Sequence, residues 1–138
     1  MLATADLHIH SPYSIAVSRF MQPEQLIRGC VTKGISVLGT GDALQPDWME
    51  VWKPFYDNDA GIIIVPQGEI EDKSRVHHVI LAEDPAQFDQ LRDLLAGTCK
   101  SFITAGRPHV YLTGEEIANA AHDVGALVGP AHAFTPWT

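Results

Sequence analysis

Residues 61–66, Gly-Ile-Ile-Ile-Val-Pro, form an unbroken apolar run bounded by turn residues. A run of that kind reads as a strand covered on both faces, which is the habit of strands in a parallel sheet layered with helices. The rest of the chain supplies the matching pieces. Residues 3–9 alternate apolar and polar, residues 35–39 are short and apolar, and residues 75–81 and 126–129 read as two further strands. Helix signals fall between most of them. Pro23-Glu24 opens a helix that Gly34 closes, and Asp47 caps a stretch to Asp59 that Pro54 interrupts. Asp84-Pro85 begins a helix with Phe88, Leu91, Leu94 and Leu95 on one stripe, and Thr113-Gly114-Glu115-Glu116 is a capping box ahead of residues 117–124. The order is mostly strand then helix. It predicts an α/β fold with a largely parallel sheet of about five strands and right-handed crossovers.

In such a sheet the carboxyl ends of parallel strands converge on one rim, where active sites are built. Chemically versatile residues fall at those ends. His8 and His10 end the first strand, on the same side of it because side chains alternate. Asp42 follows the second, Glu69 the third, and His132 the fifth, while His78 lies in the fourth. Neutral imidazoles and carboxylates in one cluster are a ligand set for zinc, manganese or iron. Each residue has a plainer reading taken alone. Asp42 could hold a turn, Glu69 could pair with a nearby cation, and His132 could pack among Pro130, Phe134, Pro136 and Trp137. Of His77 and His78 only one can face the rim, and His78 is favoured as the single polar group beside Val76 and Ile80. His109 and His122 read as structural or solvated. The joint placement at strand ends is what favours a site.

Composition narrows the partners. The 138 residues suit one domain, 46% are hydrophobic and 19% charged, and the formal net charge is −8. That balance argues against a long basic nucleic-acid groove, although bound cations would reverse the local sign at a site. Cys30 and Cys99 are too few for a disulfide framework and read as free thiols. The absence of a signal pattern and of a long apolar run leads to the expectation of a cytoplasmic protein with no membrane contact.

The ordered motifs DLHIHS, TGD, GEIE, RVHHVIL and PAHAFTPW resemble the PHP (polymerase and histidinol phosphatase) domain superfamily, and their wording is closest to its endonuclease Q-like branch. The resemblance implies a distorted (β/α)7 TIM-like barrel with two or three divalent ions at its strand ends. It implies His8, His10, Glu69, His78 and His132 as ligands, Glu69 bridging, and Asp6 supporting from behind. Asp42 aligns where the family usually has histidine. The family's closing Asp-x-His motif is missing before Thr138, so the domain over 1–138 is expected to be an incomplete barrel that covers its open edge, for instance by homo-oligomerisation.

The chemistry expected from this set is hydrolysis of a phosphate ester. A metal-bound hydroxide would attack phosphorus between cations roughly 3.5–4 Å apart, with His132 a candidate proton donor and Arg19 and Arg75 candidates to hold phosphate. The acidic composition favours a phosphorylated small molecule or nucleotide as substrate. An endonuclease acting on damaged or structured DNA is the alternative, and a catalytically inactive metal-binding assembly domain is the third reading.

Overall fold

A computed structural model describes residues 2–135. The described residues form six strands and four helices. Pro136 and Trp137, expected to frame His132, lie outside the described residues. In chain order these are β1 (Ala5–Asp6), α1 (Pro23–Lys33), β2 (Val37–Gly39), α2 (Pro46–Trp52), β3 (Ile63–Val65), β4 (Gln67–Glu71), β5 (His77–Leu81), α3 (Pro85–Leu94), α4 (Gly114–Asp123) and β6 (Leu127–Pro130). A single 3-10 turn, Lys53–Phe55, follows α2 where Pro54 stops it.

The strands form two sheets. β1, β2 and β3 are parallel in that order, as expected, with helices bridging them. The second half departs from the expected parallel arrangement. β4, β5 and β6 pair antiparallel, and no closed barrel exists among the described residues. The reason is the length of the connection. Only residues 72–76 separate β4 from β5, and the Asp72 carboxylate accepts the Ser74 and Val76 amides (2.7 and 3.0 Å), folding the chain into a hairpin. A parallel return needs a crossover of a dozen or more residues. Glu69, expected to follow the apolar strand, lies within β4 itself; Pro66 passes the chain directly from one sheet into the other.

The core lies between the sheets and the helices. Ile70, Ile80, Phe88, Leu91, Leu95, Ile117, Trp48 and Trp52 are all fully buried. Helix caps agree with the sequence at Asp84 and Thr113, both of which form reciprocal capping boxes with Gln87 and Glu116. The cap of α2 is Gln45 rather than Asp47, its side chain accepting the Trp48 amide. No described helix is long and apolar enough to cross a membrane.

Candidate metal centre

The TGD corner after β2 positions the first half of the site. Thr40 Oγ1 accepts the Gln67 amide (3.0 Å), and the Thr40 carbonyl accepts both the Trp48 and Trp52 indole N–H groups (2.9 and 3.1 Å). This ties the corner to β4 and to the core. Gly41 has φ +69°, and a Cβ there would come within 3.0 Å of the Ile9 carbonyl and 3.1 Å of His10 Cα. Glycine therefore lets the chain carrying the two histidines lie directly over the corner. β1 is shorter than expected, ending at Asp6, and the Ile9 amide is satisfied by Gln67 Oε1 (3.0 Å) instead of by a strand neighbour.

Asp42 then fixes that segment. It is fully buried, and it accepts the Ser11 amide (2.7 Å), the Ser11 and Ser14 hydroxyls (2.5 and 2.8 Å) and His10 Nδ1 (3.0 Å). All its oxygens face these donors. It sits behind His10 rather than among the expected ligands, and it orients the ring as carboxylates do behind ligating histidines. Asp42 and His132 both have positive φ, +47° and +38°, strained backbone of the kind concentrated at functional sites.

Glu69 is the centre of the arrangement. Its side chain is fully buried, with Oε2 3.4 Å from His8 Nε2 and 3.1 Å from His10 Nε2. Its Oε1 lies 3.1 Å from His77 Nδ1 and 3.3 Å from His132 Nε2. Despite these separations neither oxygen is hydrogen-bonded, and His77 Nδ1 and His132 Nδ1 are likewise buried without a hydrogen bond. Two donors about 2.0–2.1 Å from a shared ion in tetrahedral geometry lie about 3.3 Å apart, which matches these contacts. A ring nitrogen of His8, one of His132 and a Glu69 oxygen all fall within 4.8 Å of one another. The rings pack closely, His8 stacking on His132 at 5.3 Å between centroids. A buried, unbonded carboxylate amid imidazoles is costly in isolation and fits divalent cations.

The same contacts shift the protonation of the cluster. The hydrogen bond to Asp42, and then the close approach of Glu69, raise His10 to about 9, against burial. Burial pushes the Glu69 carboxyl up, but the close approach of the His10 ring and the charges of His10, His8 and His77 outweigh it and hold it at about 2. Burial lowers His132, helped by the neighbouring His8 and His77 and opposed by Glu69. A neutral imidazole suits a ligand.

The second histidine pair comes out opposite to expectation. In the β4–β5 hairpin Glu71 faces His77 and Glu69 faces Val79, while Ile70 faces His78. His78 thus shares the face of fully buried Ile70 and Ile80, and its Nε2 meets Asp72 Oδ2 at 3.0 Å. The face on which His78 is the odd polar group is the core, so the strand turns His77 toward Glu69. Behind His77, Glu71 Oε2 meets Nε2 (3.1 Å) and Glu71 Oε1 meets His109 Nδ1 (2.8 Å), which brings His109 to the edge of the site. Among the described residues the Asp6 carboxylate accepts only the His8 amide, at 3.5 Å. Arg19 lies over the Phe20 ring and Arg75 is 82% exposed beside Glu71, so neither candidate phosphate ligand reaches Glu69. Arg107 does, with Nη1 3.9 Å from Glu69 Oε2. The irregular stretch 98–112 gave no periodic signal for it; it is held to β4 by the Glu71 amide on the Pro108 carbonyl and the Val110 amide on Glu71.

Four imidazoles around one buried carboxylate make a donor set of the kind that suits divalent cations. Comparisons with known proteins narrow the chemistry. The chain is similar over its whole length to the lesion-specific endonuclease PfuEndoQ of Pyrococcus furiosus, with a TM-score of 0.94 and 37% identity over 36% of that chain. It is equally similar to an endonuclease Q in complex with a 27-mer duplex carrying an abasic lesion at the active site, with a TM-score of 0.93, 37% identity and 37% of that chain covered. An uncharacterized protein of Methanocaldococcus jannaschii is 39% identical over 138 residues, which are all of this chain and 17% of that protein. The chain therefore spans little more than a third of the solved relatives and a sixth of the curated one. No protein-family model matches it. These neighbours overturn the expectation of a small-molecule phosphatase or nucleotidase, because both solved structures are of an endonuclease and one holds duplex DNA. The acidic composition misled there: net charge is summed over a whole surface, whereas cations at a site set the local field.

Proposed function

We propose that this chain carries the metal centre of an endonuclease that hydrolyses a phosphodiester bond at a damaged nucleotide in duplex DNA. The observation that carries the reading is Glu69, buried and without a hydrogen bond, with His8 and His10 at one oxygen and His77 and His132 at the other. His8, His10, His77, His132 and Glu69 would hold divalent cations here. Zinc, manganese and iron all suit mixed imidazole and carboxylate ligands. Such ions supply Lewis acidity and neutralise charge on the phosphoryl oxygens. The residues do the rest. Asp42 and Glu71 accept the outward ring nitrogens of His10 and His77, holding each ring in one orientation. The similarity to endonuclease Q supports the substrate class.

The experiment is a nicking assay on duplexes carrying an abasic or a deaminated nucleotide, with an undamaged duplex as control. Cleavage that requires added manganese or zinc, is abolished by a chelator and is lost in Glu69→Gln is the expected result. Cleavage that persists in the chelator, or in Glu69→Gln, would overturn it. Full metal uptake without cleavage of any duplex would instead favour the non-catalytic assembly reading.

A further inference from the structure

Beside the histidine cluster is a recess of about 110 Å³ lined by His10, Tyr13, Ser14 and Arg107 among others. That is room enough for a phosphate group. We propose that Arg107 is the anion anchor of this recess, gripping a non-bridging oxygen of the phosphate that the cations hold. The inference rests on the phosphodiester reading and names the residue that would bind the phosphate.

Three observations carry it. The Arg107 guanidinium makes no hydrogen bond among the described residues, and its one ion pair, with Glu69 Oε2, is long at 3.9 Å. That oxygen already has His8 and His10 nearer, at 3.4 and 3.1 Å, so Arg107 is not needed to balance it. Its side chain is 36% exposed, open to the recess and yet next to the buried carboxylate. Finally, its position is built. The Gly106 amide donates to the Tyr13 carbonyl (3.1 Å), and the Glu71 amide donates to the Pro108 carbonyl (3.0 Å), so the residues on either side of Arg107 are tied to the two halves of the site. Gly106 is required there, because a Cβ would collide with the Asp42 carboxylate and lie 2.6 Å from Ser14 Oγ. A planar fork of N–H donors beside the histidine cluster matches two oxygens of a phosphate, a task a lysine performs less well.

The test uses the manganese- or zinc-loaded chain with inorganic phosphate as probe, comparing wild type with Arg107→Gln and Arg107→Lys by calorimetry. Phosphate affinity should fall on the order of 10- to 100-fold in Arg107→Gln and recover in part in Arg107→Lys, with metal stoichiometry and affinity retained. If Arg107 only balances Glu69, its removal would change metal affinity and leave phosphate binding alone, and that result overturns the anchor. On a lesion-bearing duplex the same substitution should raise KM. Phosphate binding that depends on Arg107 in a protein that cuts no DNA would sink the nuclease reading and keep the anchor. DNA cut equally well by wild type and Arg107→Gln would do the reverse.

Discussion

Asp42 acts on the site through His10, since its oxygens are taken up by Ser11, Ser14 and the His10 ring. Asp42→Asn keeps the volume but replaces one acceptor oxygen with an N–H donor facing other donors. Metal affinity should fall roughly 10–100-fold by competitive chelator titration. Stability should drop by roughly 1–3 kcal/mol for the mispaired buried group. Ser14→Ala, which removes one hydroxyl and leaves the carboxylate, is the control that should keep metal affinity near wild type. His10, held between Asp42 and Glu69, sets a pH signature for the metal-free protein. His10 is raised to about 9, so its stabilising contribution is complete below about pH 6.5 and is lost as pH climbs through 9. Glu69 is held at about 2, so its contribution is present above about pH 4.5 and is lost as pH falls toward 2. Urea midpoints measured in chelator should therefore be highest between roughly pH 4.5 and 6.5 and decline on both sides; a midpoint that rises from pH 7 to 9 would contradict the His10–Asp42–Glu69 coupling.

At the scale of the element, the β4–β5 hairpin decides which of two adjacent histidines can meet a cation. Its register puts His77 on the side of Glu69 and Glu71, and His78 on the side of Ile70 and Ile80. His77→Ala should lower metal affinity at least tenfold, whereas His78→Ala should leave it unchanged and cost stability, because Asp72 and the core lose a partner. Equal loss of metal in both variants would mean the register is wrong. This is also where sequence reasoning met its limit. His8, His10, Glu69 and His132 could be read ahead of the structure because each ends or follows an apolar strand, a signal written in the chain itself. His77 against His78 could not, since alternation says only that the two point apart, and the face each takes depends on a hairpin partner. Treating 75–81 as a parallel strand hid the five-residue turn that makes the pairing antiparallel. Asp42 was found but misplaced, because a carboxylate beside a ligand and a carboxylate that is one look alike in sequence. Arg107 carried no signal at all; its stretch has no period and reaches the site only by its bonds to β4 and to Tyr13.

The whole molecule leaves one side apolar. Ile63 is 61% exposed and Leu127 70%, and with Val65 and Leu81 they line a groove of about 440 Å³ where β3 approaches β6. The other edge of β6 has no strand beside it among the described residues. A two-fold contact between copies would bury Ile63 and Leu127 from each, four side chains at roughly 1.5–3 kcal/mol apiece, or about 6–12 kcal/mol in gross terms. Association costs an estimated 4–15 kcal/mol, so the net is small and self-association of these 138 residues should be weak and concentration-dependent rather than tight. Sedimentation across a concentration series should show the mass rising toward a dimer in wild type and staying at the monomer in Leu127→Lys. Leu127 opens β6 and His132 lies beyond its other end, so metal uptake by Leu127→Lys should match wild type and serves as the check that the variant is folded. A wild-type chain that stays monomeric at every concentration would show that Ile63 and Leu127 are tolerated in water, and the exposed face would then carry no drive to pair.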